Sequence, residues 1–153
     1  MDIQNMMQFL QRNFYHHESL LNFADFLRLQ GKFTDAFDFL ERAIFAFEYA
    51  FSSEFQPIAS EKVLDDLGGS EFFMPQVELE QGPGSEPLNT VFGDCLVKYI
   101  DVLGRKGCTK TALEYCKLLL GLNPKKDTHG VLLRIDYYAH RCRDHQFLLN
   151  FVN

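Results

Sequence analysis

A chain of 153 residues in which aromatic side chains make up 14% has enough apolar material for one compact core, which excludes a disordered tail. No apolar run reaches the ~18 residues that a transmembrane helix needs, and the start MDIQNMMQFLQRNF lacks the basic flank of a secretory signal. The net charge of −6 is uneven, because residues 1–89 carry fifteen acids and five bases whereas residues 90–153 carry six acids and ten bases. This balance argues against a dedicated nucleic-acid-binding domain.

Apolar residues recur at helical spacing through residues 1–51. We expect a short leading helix over Asn5–Phe14. A pair of helices then follows, His17–Gln30 and Lys32–Phe51, separated at Gly31, a residue type that ends helices.

Residues 52–89 differ from both flanks, with eight acids against the single base Lys62. The stretches DDLGGSEFF and VELEQGPGSEP contain Gly and Pro that break helical runs, so we predict a long acidic insertion or linker, native or engineered. Phe72, Phe73 and Met74 are apolar enough to dock on a neighbouring surface.

Residues 90–153 repeat the helical pattern of the first part. A second pair, Leu88–Arg105 and Thr109–Leu122, is separated at Gly107. Two further helices are predicted after this pair. Asp127 or Thr128 can cap the first of them, which ends at Arg143, and Asp144 can cap the second. The leading and last helices are expected to cover the apolar ends of the two pairs.

Both pairs match the tetratricopeptide pattern of helical hairpins. The first pair places Ala36, and the second Ala112, where the two helices of such a hairpin cross most closely and a larger side chain would separate them. The prediction is therefore an all-α fold of tetratricopeptide-like hairpins, an α-α superhelix or solenoid, interrupted by the acidic insertion.

No pattern in the sequence predicts catalysis or a cofactor. There is no glycine-rich phosphate loop, no HExxH motif and no nucleophile–base set at a suggestive spacing. The chain's four cysteines form no CxxC pair and predict reduced, buried thiols of an intracellular protein. We predict a non-enzymatic protein without a metal site or cofactor.

Three pairs of residues could nevertheless suggest chemistry. His16–His17 and His140 with His145 could be metal ligands, but no nearby Cys or carboxylate completes a set, and helix-end positions or an exposed face are the favoured interpretation. Glu41 and Glu48 could be paired carboxylates, but a solvated stripe partnered by Arg42 and Lys32 is favoured.

Two surfaces are candidate partner-binding sites. Phe45 and Tyr49 point away from the predicted core of their helix, and either the acidic insertion, with Phe72 and Phe73, or a partner protein covers them. Further along, Arg134, Tyr137 and Arg141 form one stripe, in which two guanidinium groups flank a ring and could bind carboxylates or phosphates. The alternative is that this stripe packs on the last helix.

Three segments carry a family resemblance: HHESLLNFADFLRLQGKFTDAFDFLERAIFAFEYAF, RKGCTKTALEYCKLLLGLNP and LLRIDYYAHRCRDHQFL. The chain resembles the central helical region of the transcription factor 25 family, whose fungal members are subunit 1 of the ribosome quality control complex. Residues 52–89 have no counterpart among these motifs.

The resemblance implies a non-enzymatic factor that helps ubiquitination and extraction of stalled nascent chains. Implied partners are the large ribosomal subunit, a Listerin-type ubiquitin ligase, an AAA+ unfoldase and ubiquitin, in the cytoplasm and also the nucleus. A nuclear transcriptional repressor, a generic helical-repeat interaction module and direct RNA contact are the alternatives. A tetratricopeptide clamp for acidic chaperone tails is disfavoured. Such clamps usually present Lys and Asn on the first helix of a hairpin, and the corresponding positions here hold Leu21 and Asp25.

Overall fold

The computed structural model describes residues 3–51, 88–122, 127 and 129–152. Within these ranges all regular structure is helical, which confirms the predicted all-α class. The helices are α1 Ile3–Arg12, α2 His17–Leu29, α3 Phe33–Tyr49, α4 Leu88–Lys106, α5 Thr109–Leu122, α6 Leu132–Cys142 and α7 His145–Val152. None of these helices combines the length and apolar character that crossing a membrane requires. The predicted acidic insertion lies outside the described residues.

Three turns join consecutive helices, and in all three the helix before the turn ends in the same way. Gly31, Gly107 and Arg143 have left-handed φ angles of 76°, 81° and 58°. In each turn the next residue donates its N–H across the helix end, a Schellman motif that satisfies a terminal carbonyl. These bonds join Lys32 N to Leu27 O at 2.9 Å, Cys108 N to Leu103 O at 3.0 Å, and Asp144 N to Ala139 O at 3.0 Å. Helices α6 and α7 therefore share the turn geometry of α2–α3 and α4–α5.

The predicted close-crossing alanines are both inaccessible to solvent. Ala36 and Ala112 have 0% exposure, and each begins the second turn of its helix, α3 or α5. The hairpins are joined by aromatic contacts between α3 and α4, in which the Phe37 ring stacks on Tyr99 at 5.1 Å between centroids. One continuous apolar core therefore runs from α1 to α6, with side chains of α7 packed against it.

Side-chain caps begin three of the helices. Asp127 accepts from the N–H groups of Val131 at 2.6 Å and Leu132 at 2.9 Å, as the sequence predicted for α6. Asp144 accepts from Phe147 N at 3.1 Å and caps α7, also as predicted. At α2 the cap is His16, whose Nδ1 accepts from a backbone N–H one turn along.

The prediction that all four cysteines are buried was right for two of them and wrong for Cys108. Cys95 and Cys116 have 0% exposure, and burial raises the pKa of each thiol to about 12, so both stay protonated and unreactive. Cys142 is half-buried. Cys108 is exposed because it lies in the turn after Gly107 rather than on the core side of a helix.

His17 gives the fold a pH dependence with a definite sign. Its ring lies 4.0 Å from the Phe47 ring between centroids, and its Nε2 is buried without a hydrogen-bond partner among the described residues. Burial lowers the pKa of His17; the nearby backbone of Ala46 acts in the opposite direction, and neighbouring His16 lowers the pKa further. The folded state therefore prefers the neutral ring more strongly than the unfolded state does.

We expect this contribution to stability to be complete above pH ~6.5, the ordinary histidine pKa, and to be lost as the pH falls through the lowered pKa of the folded state. Urea titrations of the unmodified chain across this range should show falling stability toward acid. His17→Gln should make the dependence shallower. Equal slopes for His17→Gln and the unmodified chain would contradict this assignment.

Candidate functional site

An exposed aromatic surface forms where the connection between α1 and α2 lies against α3. Phe45 is 56% exposed and Tyr49 is 87% exposed, so both point away from the core as the periodicity indicated. The Tyr15 ring lies 6.2 Å from the Phe45 ring, and Phe14 beside it is also exposed. We call Phe14, Tyr15, Phe45 and Tyr49 the aromatic surface.

Arg42 fixes the position of this connection. Its Nη2 donates to the backbone oxygen of Phe14 at 2.9 Å, across from α3 to the end of α1. Helical spacing could not predict that Phe14 and Tyr15 belong to this surface, because both residues lie outside any helix. The tertiary hydrogen bond from Arg42 holds them near Phe45. The cover expected from Phe72 and Phe73 lies outside the described residues.

The stripe expected from Arg134, Tyr137 and Arg141 does not act as one set of free donors. Tyr137 is 54% exposed, and the guanidinium of Arg141 lies 5.8 Å from its ring centroid. Arg134 instead turns inward, with Nη1 3.3 Å from Oδ1 of Asp101 on α4, an ion-pair distance without a well-aligned hydrogen bond. Neither alternative from the sequence anticipated this partner.

Asp101 belongs to a charged network that joins α2, α4 and α6. Asp25 accepts from Arg28 at 3.0 Å and from Lys98 at 2.6 Å, and Asp101 lies 3.6 Å from Arg28 and 3.3 Å from Arg134. Every charge in this set therefore has a partner of opposite sign. No cation of the network is left free to hold the carboxylate of an acidic chaperone tail.

Removing Asp101 should destabilise the chain modestly. Asp101→Ala leaves Arg28 and Arg134, both partly shielded from water, without a shared counter-charge, and we expect the free energy of unfolding to fall by about 1 kcal/mol. Urea denaturation at low and high salt measures this, and the loss should be smaller at high salt. Asp136→Ala on the exposed side of α6 is the control, and an equal loss in the two variants would count against the network.

Glu41 has a structural partner in place of the expected cation. It accepts from the Tyr99 hydroxyl at 3.3 Å, between α3 and α4. Burial, and then the nearby Glu41 carboxylate, raise the pKa of Tyr99 above its usual range. Tyr99 therefore remains a hydrogen-bond donor, and Glu41 helps hold two hairpins together.

The four histidines considered as metal ligands have different surroundings. His16 caps α2, His17 packs on Phe47, and the rings of His140 and His145 lie 6.4 Å apart. Among the described residues no group of three or more His, Cys, Asp or Glu side chains is arranged to hold a metal ion.

Comparison with known proteins places this chain in a family. The profile of the family described as "Transcriptional repressor TCF25" matches residues 1–153. The chain belongs to the Tcf25 family. The matched range includes residues 52–89, for which the sequence motifs had suggested no counterpart.

Curated relatives agree with this membership. The human protein "Ribosome quality control complex subunit TCF25" is 34% identical over 149 residues, covering 97% of this chain and 19% of the relative. A Dictyostelium discoideum protein of the same name is 30% identical over 97% of this chain and 18% of its own length. The "Probable transcription factor claV" of Ampulloclitocybe clavipes is 29% identical over 89% of this chain and 15% of its length.

This Tcf25-family chain thus spans about a fifth of the length of the curated relatives that it matches. No solved structure matches it. The human and Dictyostelium discoideum relatives are named as subunits of the ribosome quality control complex, which supports that role for the family, whereas the fungal relative is named as a transcription factor.

Proposed function

We propose that this chain is a non-enzymatic scaffold within a subunit of the ribosome quality control complex. The observation that carries the proposal is the family match over residues 1–153, together with human and Dictyostelium discoideum relatives named as subunits of that complex. The scaffold consists of tetratricopeptide-like hairpins in a short α-α superhelix. Its parts are residues 1–51, an acidic insertion at 52–89, and residues 90–153.

The proposed partners are the large ribosomal subunit, a Listerin-type ubiquitin ligase, an AAA+ unfoldase and ubiquitin. The scaffold helps ubiquitination and extraction of stalled nascent chains in the cytoplasm, and it is also present in the nucleus. Two exposed features support protein contacts: the aromatic surface, and Tyr137 with Arg141 on α6. Exposed Tyr, Phe and Arg are residue types enriched where partner proteins bind.

Affinity capture of the full-length protein tests this proposal. Tyr137→Ala with Arg141→Glu, and separately Phe45→Ala with Tyr49→Ala, should each leave helicity unchanged. At least one of the two variants should reduce retention of the ligase or the ribosomal subunit by about tenfold, the loss of one hot-spot contact. Arg134 is excluded from these variants, because Arg134→Glu would place a carboxylate against Asp101 and disturb the fold.

The matched control is Arg12→Glu, an equal charge reversal at an exposed residue of α1 outside both surfaces. Undiminished capture of ligase and ribosomal subunits by both variants would show that neither surface binds them. Absence of ribosomal subunits and ligase from the capture of the unmodified protein would overturn the scaffold proposal itself.

A nuclear transcriptional repressor is the second candidate function. It is supported by the family description "Transcriptional repressor TCF25" and by the fungal relative named as a probable transcription factor. Tethering the full-length protein upstream of a reporter gene separates the two candidates. Repression that persists in variants unable to capture ribosomal subunits would favour this second function.

A further inference from the structure

The three equivalent turns bring a set of unpaired cations together along one edge of the molecule. We define the turn edge as residues 29–35, 105–111 and 140–146, each centred on one Schellman turn. Its basic side chains are exposed, and none has a carboxylate within 4.0 Å in the described part of the chain. Apart from Arg141, which lies beside Tyr137, these side chains are Lys32, Arg105, Lys106, Lys110 and Arg143.

Contacts between hairpins keep neighbouring turns on the same side. The guanidinium of Arg105 lies 4.7 Å from the Phe33 ring centroid, which brings the α4–α5 turn against the start of α3. Lys117 on α5 lies 3.6 Å from Oδ2 of Asp144 and 4.5 Å from the Phe147 ring centroid, which brings the α6–α7 turn against α5. The cations of the turns therefore follow one another along the stack of hairpins.

The acids of this edge do little to neutralise it. They are Asp35, which is exposed, and Asp144, whose Oδ1 caps α7 and whose Oδ2 lies near Lys117. Lys106 reaches over the Phe37 ring with its Nζ 3.3 Å from the centroid, a contact that positions the ammonium without neutralising it. A local positive surface thus exists on a chain whose net charge is −6.

The chemistry of the turn edge fits RNA better than it fits a protein partner. Protein interfaces have an apolar or aromatic centre, and Leu29 is the one large apolar side chain exposed within the turn edge. Interfaces with nucleic acids are polar and positively charged, and Arg and Lys side chains contact the phosphates. The Schellman bonds occupy the turn N–H groups, so these side chains are the available donors.

We propose that the turn edge binds the phosphate backbone of structured RNA without reading its bases. The proposal deepens the proposed function, on which its choice of RNA rests, by assigning an RNA contact of the ribosomal subunit to one surface. Contact through phosphates explains how a chain without the composition of a dedicated nucleic-acid binder can still engage RNA locally.

Fluorescence anisotropy of a labelled RNA duplex with the 153-residue chain tests this, across ~50 to ~200 mM salt. The logarithm of affinity should fall linearly with the logarithm of salt concentration. Lys32→Gln and Lys110→Gln should each reduce the steepness of this dependence by about one, the effect of one lost phosphate contact. Arg12→Gln is the control, because the α1–α2 connection lies at the opposite end of α2 from Gly31, and it should change nothing.

Equal effects of Lys110→Gln and Arg12→Gln, or affinity independent of salt, would overturn the assignment. Tighter binding to polyglutamate of equal charge than to the RNA would show that the turn edge binds acidic polypeptides and would reject the RNA proposal. Tighter binding to a DNA duplex of the same sequence would reject the proposal as well. If RNA binding is absent while ribosomal subunits are still captured, this inference fails and the scaffold function stands. If the unmodified protein captures no ribosomal subunits, the proposed function itself is rejected.

Discussion

Replacing Phe47 with alanine is expected to lower the free energy of unfolding by about 3–5 kcal/mol. The side chain has 0% exposure and lies between two hairpins. Its ring centroid is 4.0 Å from that of His17 and 5.0 Å from that of Phe92 on α4. Truncation therefore removes buried area and leaves a cavity at the point where α2, α3 and α4 meet.

Phe45→Ala is the matched control, since it makes the same chemical change two residues away on the same helix. Phe45 is 56% exposed, so its loss should change stability by less than about 0.5 kcal/mol. Urea denaturation followed by far-UV circular dichroism measures both variants. Similar midpoints for the two would contradict the inward and outward assignment of the α3 faces.

Replacing Ala112 with leucine should destabilise the chain by about 1–3 kcal/mol through overpacking. Ala112 has 0% exposure and lies five residues after Gly107, where α5 leaves the turn against α4. Three added carbon atoms have no space there unless the two helices separate. Ala36 occupies the same position relative to Gly31 in the first hairpin and should respond in the same way.

Thr111→Leu provides the control. Because Thr111 is exposed, the added apolar atoms of the leucine lie outside the core. Differential scanning calorimetry should show a lowered Tm for Ala112→Leu and little change for Thr111→Leu. The third hairpin offers an internal comparison: Leu148 stands five residues after Arg143 and is only half-buried. A stable Ala112→Leu variant would show that the close crossing is not required.

Helix positions were largely predictable from local sequence because their determinants are local. Gly31 and Gly107 adopt left-handed backbone angles that glycine reaches without a steric cost, so both breaks were visible. Asp127 and Asp144 were recognisable as caps for the same reason. The third turn was predicted from its Asp144 cap and not from a glycine, since Arg143 adopts the left-handed angle despite its side chain.

The candidate surfaces were predictable only in part, because tertiary partners decide which side chains remain free. Helical periodicity correctly predicted that the side chains of Phe45 and Tyr49 are exposed. It could not show that Arg134 meets Asp101, a residue of α4 that no local spacing connects to α6. The turn edge was invisible for the same reason, since its cations come from three separate segments.

The Schellman turns also determine where this chain does not tolerate added length. Within each hairpin the turn is a closed hydrogen-bonded ring, so inserting even one residue at Gly31 or Gly107 would break it and misalign the facing helices. A fluorescent reporter domain placed directly after Gly107 is therefore expected to prevent the α4–α5 hairpin from forming.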